Sequence, residues 1–264
     1  MMPAAYEYPL NTIKTMKALV AESAIELKEF SAGLKARGVK VTTEVRTGDA
    51  REGIRQSISA VKPDLVAMGT HGRHQVGRWV MGSVTEWMMR HSPVPVLTMS
   101  AKARPTEKAF GRIMVTTDFS EGTVDALVYA LSIARANRSH VTLMHVINHL
   151  NVDIPGVYRE MLIKGIEKQF DEMLSLHAKD RSEITTRVEQ GIPYRIILRS
   201  LEDEKTDLLV MNIHGKSMVD RMLLGSTAER VVRGAQCPVL LIPPMKKARP
   251  AVKPRRTKKP ARAR

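Results

Sequence analysis

The 264-residue chain contains one cysteine, Cys237. A single thiol excludes an internal disulfide and any cysteine-built zinc or iron–sulfur cluster. Aromatic residues make up only 4%, so the core must be packed from Val, Ile, Leu, Met and Ala, and a base-stacking platform for nucleic acid has few candidates. No stretch approaches the ~18 uncharged apolar residues of a membrane-spanning helix. The first eight residues lack the basic and then apolar pattern of a secretion signal. These absences lead us to expect a cytoplasmic protein in a reducing environment. What is present is ordinary globular material, 43% hydrophobic and 26% charged, with length for about two domains.

The net charge of +15 is unevenly placed. Residues 246–264 carry ten Lys or Arg, no acid and three prolines, and removing those ten charges leaves +5 on residues 1–245. Such a tail has little apolar surface to bury and its like charges repel, which predicts disorder over 245–264. It suits non-specific, salt-sensitive contact with nucleic acid or another polyanion; the alternative is a solubilising tail.

An internal repeat organises the remainder. Adding 143 to the residue number carries Gly48 to Gly191, Asp64 to Asp207, His71 to His214, Gly82 to Gly225, Ser83 to Ser226 and Pro95 to Pro238. Within the shared unit, Val39 to Val45 and Ile184 to Val188 read as strands closed by the turn glycines Gly48 and Gly191. Asp64 to Met68 and Asp207 to Met211 are continuous apolar runs of strand length, as in parallel strands buried on both faces. A glycine-containing loop, a helix reaching about Arg90 or Arg233, and a last strand at Pro95 to Met99 or Pro238 to Ile242 complete it. Strands alternating with helices specify an α/β fold with a parallel sheet.

The second copy has an additional front end. Ile113 to Thr117 is an apolar strand, Ser120 is suited to cap the helix that follows, and Val141 to Ile147 is a second strand. Pro155 to about Lys179 is a long helix, matched in the first copy by Thr12 to about Arg37. The offset sets Met1 opposite Met144, so the first copy as given lacks the opening β-α-β. Two readings stand: a start that lies upstream, or a remnant completed by other contacts, including those of another chain.

The loops before the fourth helices can hold phosphate. Gly69 and Gly72, nine residues, then Gly82 and Ser83 form one; Asn212 and Gly215, nine residues, then Gly225, Ser226 and Thr227 form the other. Glycine permits close approach and unusual φ, which lets main-chain N–H groups face an anion, and the helix start favours negative charge. Asn212 departs from glycine, although Asn tolerates left-handed φ. Asp118 lies at the carboxyl end of a strand, where ligands bind in such sheets. It is placed either to meet ribose hydroxyls or a cation, or to cap the helix.

Together the glycine spacing, the run Thr116, Thr117, Asp118, Phe119 and Ser120, the strand through His145 and Val146, and the segment Cys237 to Pro243 resemble the universal stress protein family as a tandem member. The resemblance implies two adenine-nucleotide-hydrolase-like units with parallel five-stranded sheets of order 3-2-1-4-5. It divides the chain into an incomplete domain (1–100), a linker (101–109), a complete domain (110–244) and the tail. It implies a stress-response sensor or regulator binding ATP, with or without Mg2+. Asp118 would meet the ribose and adenine end, Val146 the adenine, and Gly215, Gly225, Ser226 and Thr227 the phosphates. Thr117, Asn212, Gly69, Gly72, Gly82 and Ser83 are secondary candidates. The last strands of the two units would pair, within the chain or in a homodimer. No residue is assigned to catalysis; at most, slow ATP hydrolysis or self-phosphorylation follows from the likeness. The competing reading is a nucleotide-independent scaffold acting through the basic tail.

Other candidates have blander explanations. His71 with His74 and His145 with His149 lack the cysteines or carboxylates of a zinc site. Trp79, Trp87, Met88 and Met89 read as helix packing, or else as cover for surface left by the missing strands. Cys237 reads as a small buried residue.

Overall fold

The computed structural model describes residues 10–70, 81–103, 110–148, 156–178, 180–213 and 225–244. The chain divides into two compact units, Met1–Lys62 and Pro63–Arg264.

The first unit holds two helices. Helix α1 (Leu10–Ala36) and helix α2 (Ala50–Val61) are joined through Gly38 and Gly48, which sit at φ of +81° and +109°. Asp49 caps α2 by accepting from Glu52 N–H at 3.0 Å. Among residues 15–62 only Ser31 is buried, so Met16, Leu19, Ile25 and Phe30 are left in solvent. The strand expected at Val39 to Val45 does not form: the segment is irregular. Its counterpart in the second copy pairs with a single neighbouring strand, and the first copy as given contains no equivalent of that neighbour. Strand-forming residues without a ladder to join gain nothing from extension.

The second unit is built on one seven-stranded sheet. Its strands are β1 (Val66–Gly69), β2 (Val96–Met99), β3 (Arg112–Thr117), β4 (His140–Asn148), β5 (Ile184–Gly191), β6 (Leu208–Asn212) and β7 (Val239–Ile242). The spatial order is β1-β2-β7-β6-β3-β4-β5. Read from β5 to β7, the second copy has the order 3-2-1-4-5 that the family resemblance implies, with all its neighbours parallel. Among the described residues the one antiparallel pairing is β2 with β7. There Val96 faces Leu241, Leu97 faces Leu240 and Thr98 faces Val239. Under the 143-residue offset Leu97 and Leu240 are equivalent, so a local two-fold axis passes between them.

Helices cover both faces. α4 (Glu121–Asn137) and α5 (Gly156–His177) pack with Ile113, Val115, Val141 and Leu143. α6 (Pro193–Asp203) and α7 (Ser226–Gly234) pack with Met114, Met144, Leu209 and Met211 on the other face. β3 shows the period of two, with Ile113 and Val115 to one side and Met114 to the other. α3 (Ser83–His91) buries Met88 and Met89 completely, in agreement with helix packing. Trp87 stacks on His91 at 4.9 Å between ring centroids. Trp79 and the basic tail lie outside the described residues.

Candidate functional site

A sheet of this order reverses its winding at β3 and β6, and the carboxyl ends of those strands open a crevice. A cavity of 350 Å³ lies there. Thr117, Asp118, Val146, Asn212, Gly225, Ser226 and Thr227 line it together. These are all the second-copy candidates among the described residues; Gly215 and, in the first copy, Gly72 lie outside them, as do His71, His74, His149 and His214.

The turn after β3 positions Asp118. Phe119 adopts φ of +58°, a conformation costly for a bulky side chain unless its surroundings impose it. Here they do: its ring packs 4.9 Å from His145 and 5.3 Å from Phe170, and its N–H donates to Thr117 Oγ1 at 2.9 Å. Asp118 Oδ1 then accepts from Ser120 N–H at 3.1 Å, Ser120 Oγ at 2.6 Å and Thr123 Oγ1 at 2.9 Å. Ser120 occupies the N-cap position of α4, but its hydroxyl is turned to Asp118 and caps no backbone group, contrary to the expectation from sequence. Capping would need the Ser120 oxygen as acceptor, and that oxygen instead accepts from Asn212 Nδ2 at 3.1 Å while its hydroxyl donates to the Asp118 carboxylate.

Asn212 ties the two sides of the crevice. Its Nδ2 donates to Ser120 Oγ at 3.1 Å, which places the amide one hydrogen bond from Asp118. Gly122 lies against it: a Cβ there would stand 3.5 Å from the Asn212 side chain, an ordinary packing distance. The left-handed backbone that Asn was expected to tolerate is not used, since Asn212 ends β6 in extended geometry.

Equivalent hydrogen bonds close the two glycine loops, Gly82 N–H to Thr70 O at 2.9 Å and Gly225 N–H to Ile213 O at 3.2 Å. Gly82 and Gly225 lie at φ of −61° and −59°. The expectation of unusual φ therefore fails at both. Neither helix start has a side-chain cap bond. The first-turn N–H groups of α7, which have no acceptor within the helix, lie along the cavity at Gly225 to Thr227. In the first copy Gly69 O accepts from Thr85 Oγ1 at 2.9 Å, and Ser83 begins α3. That copy as given offers no equivalent of Asp118 or Val146.

Further lining residues were not singled out in the sequence. Met144, Pro193 and Ile197 add apolar wall; the turn glycine Gly191 followed by a proline was the available signal for the start of α6. His145 Nδ1 lies 2.8 Å from Thr117 O, and the described residues hold no cluster of three metal-ligating side chains. Burial pushes the Cys237 thiol up to about 11, which makes it inert.

A doubly wound α/β unit with a mixed apolar and polar cleft at its switch point defines the class by its fold. The profile of the universal stress protein family matches residues 2–99 and 109–243, and the chain belongs to that family. It is similar to a universal stress protein of Methanocaldococcus jannaschii, with 31% identity over 54% of this chain and 88% of that protein. A second protein from the same organism is 29% identical over 50% of this chain and 94% of its own length. A universal stress protein structure from Archaeoglobus fulgidus aligns over 91% of this chain and 82% of that one, with 25% identity and a TM-score of 0.61.

Proposed function

We propose that residues 110–244 bind an adenine nucleotide, ATP with or without Mg2+, and that binding makes this cytoplasmic protein a stress-response sensor or regulator. One observation carries the reading: residues from three separate sequence motifs, at 117–118, 146 and 225–227, line one cavity. The apolar wall of Val146, Met144 and Ile197 suits an adenine ring. Asp118 suits ribose hydroxyls, and the start of α7, with its uncapped N–H groups and positive dipole end, suits phosphate. A ligand that binds only the folded or closed form stabilises it by mass action, which is how occupancy would be converted into a signal. No nucleophile or general base is assigned, so turnover is not part of the proposal. The basic tail supports a second reading, a nucleotide-independent scaffold that contacts polyanions.

Equilibrium titration of ATP and Mg2+ into the full chain, at salt high enough to suppress tail contacts, tests the first reading. The expected result is about one site per chain, weakened tenfold or more by Asp118→Ala, with far-UV circular dichroism unchanged. Absence of saturable binding, or binding indifferent to the substitution, would overturn it and leave the scaffold.

A further inference from the structure

Two arginines from different helices meet on one tyrosine, none of the three in the cavity lining but each on a helix that contributes to it. Pro193 and Ile197 of α6 line the cavity, and Tyr194 lies between them in sequence. Ser226 and Thr227 of α7 line it too, and Arg230 stands about one turn further on, its side chain leaning back toward the helix start as helical side chains do. The Arg230 guanidinium carbon is 4.8 Å from the Tyr194 ring centroid and that of Arg195 is 5.8 Å away. Arg195 Nε also donates to Tyr194 Oη at 3.1 Å. That hydrogen bond, reinforced by the two nearby charges, holds the Tyr194 phenol below its usual range.

The charge balance at this cluster differs from that of its neighbours. Arg187 pairs with Glu189 and Glu204, Arg199 with Asp203 and Arg233 with Glu229. Arg195 and Arg230 form no ion pair among the described residues; both are exposed and free to receive an anion. Two like charges gathered on one ring repel, and an incoming anion relieves the repulsion. Guanidinium groups match phosphate oxygens with two parallel hydrogen bonds. The cluster is also private to the complete copy: in the first, the positions equivalent to Tyr194, Arg195 and Arg230 are Arg51, Glu52 and Trp87.

We propose that Arg195 and Arg230, gathered on Tyr194, form a phosphate-binding rim that takes the distal phosphates of a polyphosphate nucleotide. This rests on the nucleotide reading above and names its substrate class: a monophosphate ends at the start of α7, whereas a triphosphate continues to the rim. The test is titration of the full chain, with and without the double substitution Arg195→Ala and Arg230→Ala, using ATP, AMP and inorganic tripolyphosphate. ATP affinity should fall at least tenfold in the variant while AMP affinity stays within twofold. ATP binding that is unchanged, or ATP and AMP binding lost alike, overturns the rim and leaves the nucleotide reading intact. If the unmodified protein binds neither nucleotide, the nucleotide reading fails and tripolyphosphate decides: binding lost in the variant upholds a phosphate rim, and any other result overturns it.

Discussion

Leu65 to Met68 and Leu208 to Met211 occupy equivalent places in the two repeats and are similarly apolar, yet they meet different fates. Leu65 is 43% exposed and β1 is only half buried, whereas Leu208 is 1% exposed and β6 is buried up to Met211. The difference is a neighbour. β6 lies between β7 and β3, with α4 over one face, whereas β1 ends the sheet with β2 as its single partner. Burial is thus a property of the ladder a strand joins as much as of its own residues.

Truncation at matched positions should expose this contrast most strongly. Leu208→Ala is expected to cost about 2 to 5 kcal/mol in urea unfolding, as for other fully buried leucines, and Leu65→Ala less than about 1 kcal/mol. Equal losses would mean that β1 is covered in solution. A smaller asymmetry involves the aspartates that precede these strands. Asp207 Oδ2 accepts from Gly111 N–H and Arg112 N–H, both at 2.9 Å, and so ties the entry of β3 to β6. Asp64 is exposed and has no hydrogen-bond partner among the described residues. Asp207→Ala should therefore lower stability by about 1.5 kcal/mol, and Asp64→Ala by less than about 0.5 kcal/mol. The smallest effect concerns Cys237 beside β7. Its thiol rises from an ordinary 9.0 to about 11 on burial, so the unfolded chain ionises first as pH increases. The stability held by the neutral thiol is complete below pH 9 and is lost as pH climbs through about 11. Iodoacetamide at pH 9 should label the urea-unfolded protein quickly and the folded protein slowly; equal rates would contradict the burial.

Most of this fold was legible in the sequence because the signals were local. The repeat offset located equivalent glycines, apolar runs marked the inner strands of the complete copy, and the turn glycine Gly191 closed the strand begun at Ile184. Val39 to Val45 misled because a strand needs a partner, and its residues carry no record of one. In the cleft, Asp118 and the residues after Gly225 were legible because a strand end and a helix start fix where side chains can point. The cluster at Tyr194 was not, because it joins α6 to α7 across 36 residues of sequence, from Tyr194 to Arg230, and no periodicity links them. Asn212 was legible as a departure, but its hydrogen bond to Ser120 was not, because Ser120 stands on another element 92 residues earlier in the sequence.

The seam at Leu97 and Leu240 has a further consequence. Two separate molecules that joined along such an edge would part on dilution, and each would have to present the same face to the other. Carried within one chain, the seam is indifferent to concentration, since its halves cannot diffuse away. It is also released from sameness: Thr98 sends its hydroxyl to Val239 O at 3.2 Å, and Leu241, its equivalent across the axis, has none to send. A contact that need not be identical on both sides leaves each side free to diverge from the other.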